Sequence, residues 1–183
     1  MGRQMQISVA GYDADSCTKA AYDAAYLAGK AIAASGCVVV CGGLGGVMEA
    51  ACKGARDAGG DSVGILPSAD PNDANRYCAF VVATGLGHTR DFLVAYSGDA
   101  VVVIGGGAGT LIEATAAYQA GKPVVAVRGT GGVADEIAGK YLDDRRTRKI
   151  IGAPSAEEAV RMAVLEVSGG AKSPKSKAKR SVG

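Results

Sequence analysis

Residues 99–127, DAVVVIGGGAGTLIEATAAYQAGKPVVAV, decide the fold. Residues 100–104 form a continuous apolar run, the pattern of a strand covered on both faces. Gly105 to Gly109 supply a turn, residues 110–120 read as a helix opening at Gly109-Thr110, and residues 123–127 read as a second buried strand. Strand, glycine turn, helix and strand make a βαβ unit. Its turn leaves bare backbone N–H groups at a helix N-terminus, where they favour an anion. Glu113 falls one turn into that helix, close to whatever carries the anion.

The same alternation extends in both directions. Residues 6–10 read as a first strand, residues 16–35 as a helix that stops at Gly36, and residues 37–41 as a strand buried on both faces. Gly42-Gly43-Leu44-Gly45-Gly46 opens a helix over residues 47–57, and a third strand covers residues 62–66. A polar loop (67–76), a strand (80–82) and a helix (89–96) lead into the opening βαβ unit. Beyond it come a helix at 133–142, a short strand at 150–151 and a helix at 156–167. This succession predicts a single α/β domain, residues 1–167: a doubly wound, mostly parallel sheet with helices on both faces, Rossmann-like in architecture. In such sheets ligands bind beyond the carboxyl ends of the strands. Both strong glycine clusters directly follow buried strands, so both belong on that edge.

The expected phosphate-binding residues are therefore Gly42, Gly43, Gly45 and Gly46 from one cluster and Gly106, Gly107, Ala108, Gly109 and Thr110 from the other. Thr110 and Glu113 also fit a Thr-x-x-Glu capping box, a structural reason for both residues. A cap does not call for the glycines around it, each of which costs roughly 0.5–1 kcal/mol of backbone entropy; close approach by a ligand does. Neither cluster is a Walker A loop, since Thr110-Leu111 follows Gly109 where Lys and Ser/Thr would be needed. Neither is a good dinucleotide fingerprint, since Met48 stands where the third glycine belongs. Arg90 sits near the start of the predicted helix 89–96, a poor place for a cation by the dipole rule. An anion arriving in the crevice explains it, as its fork binds such groups bidentately; the alternative is a surface ion pair with Asp91 or Asp99.

Composition sets the remaining limits. Glycine makes up 28 of 183 residues, about twice the usual share, but clusters at strand ends without the period of a fibrous protein. No apolar run reaches the roughly 18 residues of a membrane span, and the N-terminal apolar run is too short for a signal peptide. A soluble, cytoplasmic protein is the expectation. The five cysteines form no CxxC pair and read as free thiols acting as small hydrophobes. Cys37 and Cys41 would lie about 13 Å apart along one strand, too far to share an ion. His88 has no partner at zinc-ligand spacing, so no metal site is expected. Residues 168–183 carry Lys172, Lys175, Lys177, Lys179 and Arg180 and no acid. Residues 1–167 hold the other fifteen basic residues against eighteen acidic ones, a formal −3. The basic tail has the composition of a disordered extension capable of weak, non-specific contact with nucleic acid; a solvated terminus is the simpler reading.

The run Gly106-Gly107-Ala108-Gly109-Thr110-Leu111-Ile112-Glu113 is similar to the GGxGTxxE signature of the LOG family, often labelled "possible lysine decarboxylase". Arg90 stands where those enzymes carry an active-site Arg, and residues 42–48 resemble a shortened form of their first glycine motif. The resemblance spans roughly residues 5–128. It implies cleavage of nucleoside 5′-monophosphates to free base and ribose 5-phosphate, with Glu113 and Arg90 as catalytic residues. Two positions depart from the enzymes: Gly105 replaces a Pro and Asp91 a Lys. The run Ile104-Gly105-Gly106-Gly107 looks more like the branch of molybdenum cofactor carrier proteins, which bind a phosphorylated pterin without turning it over. That branch implies the cofactor as bound ligand, and members of the family are usually dimers or tetramers. Nothing in the sequence resembles a pyridoxal phosphate site, so decarboxylation is not expected.

Overall fold

A computed structural model describes residues 2–145 and 148–170. The elements in order are β1 (Gln6–Gly11), α1 (Lys19–Ala34), β2 (Val38–Cys41), α2 (Val47–Asp57), β3 (Ser62–Leu66) and β4 (Phe80–Ala83). They continue with α3 (Asp91–Ser97), β5 (Ala100–Ile104), α4 (Ala108–Gln119), β6 (Val124–Val127), α5 (Gly132–Ile137), β7 (Ile151–Ala153) and α6 (Ala156–Gly170). Short 3-10 turns lie at Pro71–Asp73 and Gly87–Arg90. The strands form one seven-stranded sheet in the order β4-β3-β2-β1-β5-β6-β7. Every pairing is parallel, so the sheet is wholly rather than mostly parallel.

The apolar runs sit in the middle of this sheet because both faces are covered. Side chains alternate along a strand, and the two faces of β5 split accordingly. Val102 and Ile104 join a cluster with α1, α2 and α6, whereas Val101 and Val103 join one with α3, α4 and α5. Small residues bring the layers close. A Cβ on Gly29 of α1 would come within 2.9 Å of the Ala55 backbone nitrogen, and one on Gly54 of α2 within 3.1 Å of that of Lys30. The two helices therefore meet backbone to backbone.

Several boundaries differ from the sequence reading, each for a local reason. The first helix begins at Lys19, because Thr18 caps it by accepting a hydrogen bond from the Ala21 N–H at 3.1 Å. The helix expected over 89–96 divides into the 3-10 turn Gly87–Arg90 and α3. The helix expected to reach 142 ends at Ile137, where Gly139, at φ +81°, turns the chain away. Lys140 then hydrogen-bonds Ile150, just before β7. Helix α6 runs three residues past the boundary at 167; the basic residues of the tail lie in 171–183, outside the described residues. Among the described residues no helix is long and apolar enough to cross a membrane.

Candidate functional site

The chain builds β1 to β4 outward on one side of the sheet and then returns to place β5 on the other side of β1. The strand order thus reverses between β1 and β5. At such a switch point the loops beyond two adjacent strands diverge and leave a crevice. A cavity of about 400 Å³ opens there. Its walls are the loop after β1, with Tyr12, Asp13 and Ser16; the turn Gly107 to Thr110 at the start of α4; and the side chains of Arg90 and Glu113.

Helix α4 begins at Ala108 with Gly107 as its N-cap and no side-chain cap. The capping box read from Thr110 and Glu113 is therefore not formed. The glycine-rich turn closes early enough for the helix to start two residues before Thr110, which places that residue inside the first turn. Its hydroxyl instead donates to the Gly11 carbonyl at 3.1 Å and ties α4 to the end of β1. The N–H groups of a helix's first turn have no partner within the helix, and here they point from residues that line the cavity.

The glycines divide into two kinds. Gly105 and Gly106 need their positive φ values of 59° and 98°, and a side chain on Gly106 would strike Thr110. Gly43 and Gly46 also hold positive φ, and a Cβ on Gly45 would come 2.9 Å from that of Ala14. A Cβ on Gly42 would lie 2.6 Å from Arg90 Nη2, so this glycine makes room for the guanidinium. These six frame the site and are not among the residues lining the cavity, where Leu44 and Met48 represent the first cluster. Gly107 and Gly109 are different. Gly107 has a φ of −121°, and a Cβ there would meet nothing within 4 Å; one on Gly109 would meet only Asp91 Oδ2, at an ordinary 3.5 Å. Neither turn geometry nor packing requires glycine at these two positions, and both face the cavity.

Behind them lies a buried charged cluster. Arg90, at the end of the 3-10 turn, is 8% exposed, Asp91 4% and Glu113 7%. Arg90 Nη1 pairs with Asp91 Oδ1 and lies 4.0 Å from Glu113 Oε1. The surface ion pair weighed from the sequence is thus a buried one, and Asp99 pairs with Arg3 instead. Arg90 Nε is buried and finds no hydrogen-bond partner among the described residues. Burial pushes the Glu113 carboxyl up to about 8; the Asp91 charge adds to this, and Arg90 opposes it. Asp91 is also raised, by burial, against the pull of Arg90 and His88. At neutral pH the cluster therefore presents a guanidinium with its counterion and a protonated carboxyl, a hydrogen-bond donor beside the positive end of α4.

The sequence reading placed Arg90, Glu113, Gly107, Ala108, Gly109 and Thr110 together, and the structure brings them to one cavity. It missed Tyr12, Asp13, Ser16 and Asp91. The loop after β1 has no distinctive motif, and only the strand order shows that it faces α4.

Fold and crevice define a Rossmann-like α/β protein whose cavity lies at the topological switch point. A family model described as SLOG cluster4 family matches residues 4–160. The chain belongs to that family. An uncharacterized protein of Archaeoglobus fulgidus is 42% identical over 124 residues, 68% of this chain and 80% of its own length. The X-ray structure of TM1055 superposes with a TM-score of 0.81 at 41% identity, covering 87% of this chain and 98% of that one. The molybdenum cofactor carrier protein of Chlamydomonas reinhardtii gives a TM-score of 0.78 at 32% identity, covering 91% and 99%. The molybdenum cofactor binding protein of Rippkaea orientalis gives 0.78 at 30%, covering 88% and 96%. These similarities agree with the resemblance seen in GGGAGTLIE and with its carrier branch.

Proposed function

We propose that this protein is a cytoplasmic carrier that binds a phosphorylated small molecule, with the molybdenum cofactor as the leading ligand. The observation that carries the reading is the pair Gly107 and Gly109, glycines that face the cavity where no backbone or packing constraint asks for them. An approaching phosphate does ask for them, because it can reach the N–H groups of α4 only where side chains are absent. Arg90, which lines the same cavity, brings its guanidinium to the ligand. The carrier similarities above favour a phosphorylated pterin over other anions. Gly107 to Thr110 would hold its phosphate, with Arg90 and the protonated Glu113 hydrogen-bonding its polar groups. A LOG-type hydrolase would use Glu113 as a carboxylate to stabilise an oxocarbenium-like ribose. Asp91 in place of the enzymes' Lys and Gly105 in place of their Pro favour binding without turnover.

Mass spectrometry of protein purified from its native host is expected to find a phosphorylated pterin. Gly107→Val should keep the melting temperature but lose the ligand, since the new side chain enters the cavity without striking the fold. Absence of any phosphorylated ligand, or release of ribose 5-phosphate from nucleoside monophosphates, would overturn the reading.

The carrier is also proposed to self-associate. Phe92, Leu93 and Tyr96 on α3 and Leu111 and Ile112 on α4 are all about 40–50% exposed, on two helices that pack side by side. Such a cluster of large apolar residues marks an interaction surface. Sedimentation should give a dimer or tetramer that dissociates in Phe92→Asp; a wild-type monomer would refute it. The free thiols fit a reducing compartment.

A further inference from the structure

Away from the cavity, three cysteines distant in sequence meet in space. Cys41 ends β2, Cys52 lies in α2, and Cys78 lies in the loop before β4. The Cys52 sulfur is 3.4 Å from that of Cys41 and 3.7 Å from that of Cys78. Gly64 of β3 makes room for this group, since a Cβ there would lie 2.7 Å from Cys78 Sγ. Cys41 and Cys52 are fully buried and Cys78 is half-buried.

We propose that Cys52 and Cys78 form an intramolecular disulfide on exposure to hydrogen peroxide, making this cluster an oxidative modification site. Cys41 is nearer to Cys52, but those two sulfurs are fixed to a strand in the sheet and to a helix packed on it. A disulfide needs the sulfurs at about 2.05 Å, and the loop carrying Cys78 is the part able to close that gap. Cys78 is also the sulfur with solvent access. Hydrogen bonds donated by the Cys41 and Cys78 thiols lower Cys52 from the ordinary thiol range, which supports a thiolate at the centre of the cluster.

The chemistry closes without another reactant. Cys78, the sulfur that peroxide can reach, passes its proton to the Cys52 thiolate and attacks one peroxide oxygen; the O–O bond breaks and hydroxide leaves to take a proton from solvent, giving a Cys78 sulfenic acid. Cys52 sulfur then attacks Cys78 sulfur; the S–O bond breaks and the departing hydroxide takes the Cys52 proton as water. Both thiols are oxidised by two electrons in total, and one peroxide is reduced to two waters. The bridge would staple to α2 the loop in which Asn75 donates to the Gly43 and Leu44 carbonyls at 3.1 and 3.0 Å.

The test is peptide mapping of the full chain under non-reducing conditions after hydrogen peroxide treatment and alkylation. The expected product is a Cys52–Cys78 linked peptide, about 2 Da lighter than the two thiol peptides combined, with Cys17 and Cys37 alkylated. Closing this loop should raise the melting temperature by about 10 °C. Dithiothreitol should reverse the rise, and Cys78→Ser should abolish it. Cys52 and Cys78 remaining alkylatable, a Cys41–Cys52 bridge in the wild-type protein, or sulfinic acid in place of a disulfide would each overturn the proposal.

Discussion

Arg90→Met is expected to lower stability by about 3–5 kcal/mol and to weaken binding of the phosphorylated ligand by about 100-fold or more. Methionine fills similar volume, so the loss is electrostatic rather than a cavity effect. The guanidinium is the cation paired with Asp91 in a site where Arg90, Asp91 and Glu113 are all under 10% exposed. Removing one member of a buried pair leaves the other desolvated without compensation. Asp91 would then take up a proton more readily, and Glu113 would lose the one group that holds its carboxyl down. The stability loss should accordingly be larger at pH 9 than at pH 6. Urea unfolding at the two pH values measures it, and isothermal titration measures the binding. Arg90→Lys should recover part of the stability, because charge returns, but little of the affinity, because the planar fork does not. Equal stability of the wild type and Arg90→Met across this range would show that the cluster is not held by its cation.

The βαβ reading of residues 99–127 was legible because burial on both faces leaves its mark on every position of a parallel strand. Val101 and Val103 must be apolar for one helix layer, and Val102 and Ile104 for the other. The short edge strand β7 showed less: only Ile151–Ala153 pair, and a three-residue strand with a central glycine has little pattern to read. The glycine-turn wall of the cavity was legible for a similar reason. Glycines in excess of what a turn needs are visible in the chain, although separating Gly107 and Gly109 from their structural neighbours took backbone angles and close contacts. What the sequence could not show is adjacency set by strand order. Tyr12 and Ser16 face α4 because β5 pairs with β1, and Cys78 meets Cys52 because β3 and β2 carry the chain back beneath α2. The Thr-x-x-Glu pattern misled because a helix start fixed by a glycine turn need not coincide with the nearest capping residue.

Glu113→Gln should separate the carboxyl's structural role from its charge. The folded protein holds the Glu113 proton up to about pH 8, against an ordinary value of 4.5, chiefly because burial disfavours the charged form. A raised carboxyl stabilises the fold least where it must ionise. Its contribution is undiminished below pH 4.5 and declines as pH rises toward about 8, beyond which it falls no further. At 1.36 kcal/mol per pH unit, the full decline is on the order of 5 kcal/mol. Glutamine resembles the protonated acid and does not titrate. The variant should match the wild type near pH 4 and exceed it by several kcal/mol at pH 8.5, as read from urea midpoints at each pH. Asp91, raised in the same direction, remains in both proteins, so the difference between them isolates Glu113. Ligand affinity should follow the same sign. Above pH 8 an ionised Glu113 repels a phosphate at the N-terminus of α4, and wild-type affinity should fall while that of Glu113→Gln holds. A hydrolase needing the carboxylate would show the opposite dependence, with ribose 5-phosphate release rising toward pH 8 and vanishing in the variant. The pH profile of one isosteric substitution therefore decides between holding the ligand and cleaving it.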